Sequence, residues 1–348
     1  MYRHGHNNPA GRRVQHRLWS QSPSACRMAE NPLPLAWRDL TIEESSRLKE
    51  VFPEVLNNLV VYDGGVMMPK EFIPVADQLY NFPVRDDDIW IVTFPKAGTT
   101  WTCEMVWMLV NDVDKEAGAV PLTLRSPYLE VGALMGPDID AIPFPPELEQ
   151  VNKDPLAFAE NMVGPRVLKT HLPLEFLPPD VTTRCKVVYV GRNPRDVCVS
   201  YYKMMSTPEG GCVSDFPEFA ELFKAGTQLY GDYWHHVLSG WNARESDNVK
   251  FLWFEDMKKN QRKVIEELCD FLQHPLSEEQ VEALVDHLKF DNMKANKNAN
   301  PQPTNDNFFR KGEVGGLVSV IKHGLSSGWQ LEELLHSRED CRVGQVDS

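Results

Sequence analysis

Four short segments of the chain are apolar almost throughout: IWIVT (residues 89–93), RVLKT (166–170), KVVYVG (186–191) and VKFLWF (249–254). They are rich in Val, Ile and aromatics and barely alternate, the pattern of parallel strands covered on both faces. Between them the spacing changes to that of helices. Thr99 to Asn111 follows the first segment, and Asp196 to Met205 follows the third. From Asp256 to Leu272, Val264, Ile265, Leu268, Phe271 and Leu272 recur at helical intervals, with Asp256 as the expected cap. Ser277 and Gln280 make a capping-box pair that predicts a further helix ending near His287. Upstream, Val60 to Pro69 carries two apolar runs around Asp63-Gly64-Gly65, a hairpin signal. Strands alternating with helices of these lengths predict one α/β domain, a central parallel sheet flanked by helices. Ordered structure is expected from about Leu33. Two long connections interrupt the alternation: Pro121 to Pro155, and a polar stretch from Asp291 to Phe309.

Composition narrows the function classes. The 348 residues are 42% apolar, enough for a sizeable core, and no run of about 18 apolar residues predicts a membrane span. Residues 1–29 hold five arginines and no acid, so the formal charge of −14 leaves about −19 on the rest. That balance argues against a nucleic-acid binder, and an anionic ligand would need a local basic site. Residues 1–32 are expected to be a disordered basic leader. Seven cysteines without a C-x-x-C spacing read as reduced thiols of a cytoplasmic protein, not as a disulfide frame or zinc site.

Candidate chemistry begins at TFPKAGTTW, Thr93 to Trp101. A buried strand ends and a helix starts, with Pro95-Lys96-Ala97-Gly98 as the turn. The lysine precedes the glycine, unlike the G-x-x-x-x-G-K-[ST] of ATP-type loops, which occurs nowhere in the chain. Unbonded N–H groups of the helix start, small Ala97 and Gly98, and the hydroxyls of Thr99 and Thr100 suit an anion. Lys96 could neutralise charge on a bridging oxygen as its bond breaks. A second strand–turn–helix, VVYVGRNPRDVCVSYY, places Arg192 at the same sheet edge and Ser200 two turns later. A third basic cluster, Arg310-Lys311-Gly312, lies far downstream. In LKTHLP, Lys169 and His171 stand two apart on an extended segment and so share a face. A histidine there can serve as general base for a hydroxyl. Read singly, Arg192 is equally a helix-start arginine paired with Asp196, the downstream cluster a solvated charge pair, and the histidine a structural residue.

Together, TFPKAGTTW, RSPYLE, RVLKTHLP, VVYVGRNPRDVCVSYY, FEDM and FFRKGEVG resemble the cytosolic sulfotransferase family, in its order and spacing from about Leu33 to Gly315. The long loops are similar to insect members, including the retinol-dehydratase branch. The resemblance implies a P-loop-type sulfotransferase domain over residues 33–315. It also implies a donor, 3′-phosphoadenosine 5′-phosphosulfate (PAPS), and a product, PAP, with no metal. Lys96, Ala97, Gly98, Thr99 and Thr100 would cradle the 5′-phosphosulfate, and Trp101 would stack near adenine. Arg192, Ser200, Arg310, Lys311 and Gly312 would clamp the 3′-phosphate, and Phe290 would stack. His171 would be the base, with Lys96 and Lys169 stabilising developing charge. The acceptor would be a small hydrophobic alcohol or phenol in a pocket including Phe82, Tyr128, Phe144 and Trp234.

The sequence departs from the family at three places. Phe254 stands where tyrosine is common, and Leu288 where threonine is usual. Gly316-Leu317 follow Gly315 in place of Asp-Trp, so residues 316–348 are expected to be a non-family tail. The family's dimer motif is missing, which favours a monomer. The rival expectation is a catalytically impaired PAPS- or PAP-binding relative acting through partner contacts.

Overall fold

A computed structural model describes residues 32–53, 58–136, 139–208 and 210–299. Among these, the four apolar segments pair side by side as strands β4 (Ile89–Thr93), β5 (Val167–Thr170), β6 (Lys186–Gly191) and β7 (Val249–Trp253). The sheet is parallel in the order β5-β4-β6-β7, with Ile89 opposite both Val167 and Lys186. Alternate residues face two apolar layers. Trp90, Val92, Leu168, Val187 and Tyr189 enter one, and Ile89, Ile91, Val167, Val188 and Val190 the other. Burial on both faces explains the weak alternation in sequence.

Three strands preceding the sheet form an antiparallel unit, β1 (Trp37–Asp39), β2 (Leu59–Tyr62) and β3 (Met67–Pro69), in the order β1-β2-β3. The predicted hairpin is its β2–β3 half. Gly64 turns it at φ +79°, where a side chain would strike the ring of His235.

The helix Thr99–Val110 follows β4 and is buried nearly all round. Its Glu104 is fully buried and takes Arg125 Nη2 at 2.7 Å and His287 Nε2 at 2.7 Å. One carboxylate thus ties the phosphate-loop helix to two later segments. The helix expected over 256–272 is two, Phe254–Lys259 and Gln261–Leu272. Asn260 ends the first and caps the second by accepting the N–H of Lys263, a competition with the helix backbone that Asn favours. The cap is therefore Asn260 and not Asp256. The capping box at Ser277 and the helix end at His287 stand as read.

Strand β5 begins one residue later than its apolar run. Arg166, fully buried, turns instead to Asp88 and donates from Nε and Nη2 at 2.6 Å each. All of this leaves Thr93, His171, Arg192 and Phe254 at the carboxyl ends of four adjacent strands. Because β5 and β6 lie on opposite sides of β4, the loop after β4 sits at the switch point of the sheet, where α/β ligand sites form.

Candidate active site

The turn after β4 is conformationally unusual. Lys96 adopts φ +69°, which costs an L-residue about 1–2 kcal/mol, and Gly98 adopts φ +116°. Gly98 cannot grow a side chain: a Cβ would lie 2.7 Å from the ring of Phe254. The helix from Thr99 has no side-chain cap, so its first N–H groups face the cavity beyond the strand ends. Thr99 and Thr93 hydroxyls meet at 2.5 Å, and Thr100 lines the cavity.

Arg192 reaches this turn from β6. Its Nη1 donates to the Lys96 carbonyl at 2.8 Å, and its guanidinium stacks over Phe254 at 4.1 Å. Phe254 also meets Trp101 edge-on at 5.7 Å, while the Trp101 indole donates to the Leu288 carbonyl at 3.1 Å. Ser200, Lys258, Lys289 and Phe290 complete this end of the cavity. It is a cationic cradle with an aromatic wall, which suits a nucleotide bearing phosphates.

At the other end, His171 is held on three sides. Its Nδ1–H donates to the Thr93 carbonyl at 2.8 Å. Its main-chain N–H donates to Glu130 Oε1 at 2.6 Å, and its carbonyl accepts His236 Nε2–H at 2.9 Å. With Nδ1 donating, Nε2 carries the lone pair. Burial, reinforced by the charge of Lys169, holds the imidazole well below its usual pKa and so neutral, against the pull of the Thr93 bond. Lys169 Nζ sits 4.2 Å over the Tyr128 ring, and its pKa is lowered by burial. The expected sharing of a face by Lys169 and His171 holds, because both line the cavity. RSPYLE runs beside β5, with Leu129 N–H on the Lys169 carbonyl, and so brings Tyr128 to within 5.0 Å of the His171 ring.

The turn after β4, His171 and an apolar lobe including Tyr128, Leu134, Phe144 and Met204 share one cavity of about 890 Å³. Residues 86–325 match the sulfotransferase domain. This chain belongs to the sulfotransferase family. Membership makes it a PAPS-dependent transferase. Luciferin sulfotransferase of Photinus pyralis is 31% identical over 271 residues, 75% of this chain and 71% of that protein. Sulfotransferase 1E1 of Bos taurus is 35% identical over 266 residues, 72% and 84% of the two chains. A solved structure of retinol dehydratase in complex with androsterone and the inactive cofactor PAP superposes with a TM-score of 0.78. It is 28% identical and covers 91% of this chain and 99% of its own. A second, with retinol and PAP, gives a TM-score of 0.77.

Within this sulfotransferase, Lys96, Gly98, Thr99, Thr100, Trp101, Lys169, His171, Arg192, Ser200, Phe254, Leu288 and Phe290 all line the one cavity. Three expectations need correction. Ala97 is fully buried and closes the turn through its N–H on the Phe94 carbonyl, so it shapes the cradle without lining it. Phe82 does not line the cavity; it packs edge-on against Trp90 and under Arg166, in the core layer. Trp234 packs against Tyr233 in the core layer and does not line the cavity. Arg310, Lys311, Gly312 and the tail 316–348 lie outside the described residues. Sequence reasoning missed Glu130, Tyr230, Lys258 and Lys289. Glu130 and Lys258 stood within or directly after quoted motifs, whereas nothing local marked Tyr230. Among the described residues no helix is long and apolar enough to cross a membrane, and five cysteines are free thiols.

Proposed function

We propose that this sulfotransferase moves a sulfuryl group from PAPS to the hydroxyl, or amine, of a small hydrophobic alcohol or phenol, with His171 as general base. One observation carries the assignment of the base: the Nδ1–H bond to the Thr93 carbonyl, which fixes the ring tautomer and leaves Nε2 to take the acceptor's proton. Lys96, Gly98, Thr99 and Thr100 would hold the 5′-phosphate side of the donor, and Arg192 and Ser200 the 3′-phosphate. The donor set fits: a cation, an uncapped helix start and two hydroxyls converge at one end of the cavity. When bound, the donor supplies an activated sulfuryl group. Lys96 and the helix dipole offset charge gained by the departing phosphate oxygen. Lys169, beside the base, keeps a positive field near the transferring group, and the same field favours neutral His171. Tyr128, Leu134 and Phe144 exclude water and favour an apolar acceptor body. Retinol and androsterone, bound by the similar solved structures, belong to that class of acceptor.

His171→Ala tests this. Transfer to a generic phenol should fall about 10²–10⁴-fold, while PAP still raises the melting temperature. Turnover near wild type removes His171 from the mechanism. Wild-type protein that is stabilised by PAP yet transfers no sulfate would instead support the binding-relative reading. The complete set of Lys96, Lys169 and His171 around one cavity favours the enzyme.

A further inference from the structure

Glu130 lies beside the base without lining the cavity. Its side chain is fully buried, and it belongs to none of the groups assigned to donor or acceptor. Oε1 accepts the main-chain N–H of His171 at 2.6 Å and the Tyr230 hydroxyl at 3.3 Å. The Tyr230 and Tyr128 hydroxyls are themselves in contact, and both rings meet His171 edge-on, at 5.7 and 5.0 Å. On the far side, His236 fixes the carbonyl of His171 and contacts the Tyr189 hydroxyl. The base is thus clamped at both its main-chain N–H and its carbonyl by buried side chains from distant parts of the chain.

We propose that Glu130 is a positioning residue for sulfuryl transfer: as a carboxylate it fixes the main chain of His171 and ties the Tyr230–Tyr128 pair of the acceptor lobe to the base. This rests on His171 being that base. The charged and titratable groups facing Glu130 are Lys169 and His171 from β5 and its extension, Tyr230 from the loop before Tyr233, and Tyr128 on its own segment. Burial, the largest influence, pushes the Glu130 carboxyl up to about 7, while the His171 N–H, Thr170 and Lys169 pull it down. Since the clamping form is ionised, activity should fall as pH drops through about 7. His171 itself titrates well below its usual value and does not supply that limb.

Glu130→Gln keeps the shape and an acceptor for the His171 N–H but loses the charge. It should lower kcat about 10- to 100-fold by misplacing the base, leave PAP affinity unchanged, and abolish the acidic limb near pH 7. Glu130→Asp should retain a limb. An unchanged kcat, or a limb that persists in Glu130→Gln, overturns the proposal. If Glu130→Gln does not fold, Tyr230→Phe decides: losing one donor to the carboxylate should move the limb to higher pH, and an unmoved limb rejects the role. Failure of His171 as base registers separately, as activity in His171→Ala.

Discussion

The two halves of the cavity are built differently. The half proposed to take the nucleotide comes from continuous strand–turn–helix pieces at the ends of β4 and β6, where Lys96, Gly98, Thr99 and Arg192 are placed by local backbone geometry. The half proposed to take the acceptor is assembled from fragments: Tyr128 beside β5, Phe144 from the long proline-rich connection, Met204 from the helix Pro194–Met205 and Tyr230 from a loop. A phosphate cradle needs backbone donors and a helix end, which one short stretch can supply. An apolar pocket needs only surface of suitable shape, which any stretch can supply once the chain folds. The first half should therefore be brittle towards single changes in chemistry, and the second graded.

The comparison breaks first at Lys96. Lys96→Ala should cost roughly 10²–10³ in kcat, with a smaller change in PAP affinity, read from steady-state kinetics and calorimetry. Weakened binding with kcat intact would place Lys96 in ground-state holding only. Gly98→Ala should come next, because the new methyl meets Phe254 at 2.7 Å in a backbone conformation that disfavours side chains. A penalty of about 1–3 kcal/mol is expected in thermal unfolding, together with a loss of PAP-induced stabilisation. The smallest effects belong to the acceptor half. Phe144→Ala should raise KM for a hydrophobic phenol about tenfold by removing apolar contact and leave PAP binding unaltered. Phe82→Leu should leave that KM unchanged and lower the melting temperature, since Phe82 serves the core under Arg166. A KM shift in Phe82→Leu would restore it to the pocket.

Much of this was legible in the chain. All four strands of the parallel sheet fall within one residue of their apolar runs at both ends, because two-sided burial writes itself as continuous Val and Ile; β5 begins one residue late, after Arg166, and β7 ends one residue early, where Phe254 opens a helix. The capping box at Ser277 was legible because its two hydrogen bonds are local. The break at Asn260 was not, because the apolar spacing continues across it and only the competing side chain stops the helix. Phe82 and Trp234 were misassigned for a related reason. An aromatic residue in a loop-rich region can face either a pocket or the core, and its neighbours in sequence do not say which.

By itself the sequence determined the sheet, the phosphate turn and the identity of the groups that could carry charge, since these follow from periodicity and chemistry within a few residues. Only the tertiary structure decided that His171 donates through Nδ1 to Thr93, that Glu130 and His236 grip it from both sides, and which aromatics line the cavity. Those contacts join residues far apart in the chain, and their energies depend on burial that no local pattern encodes.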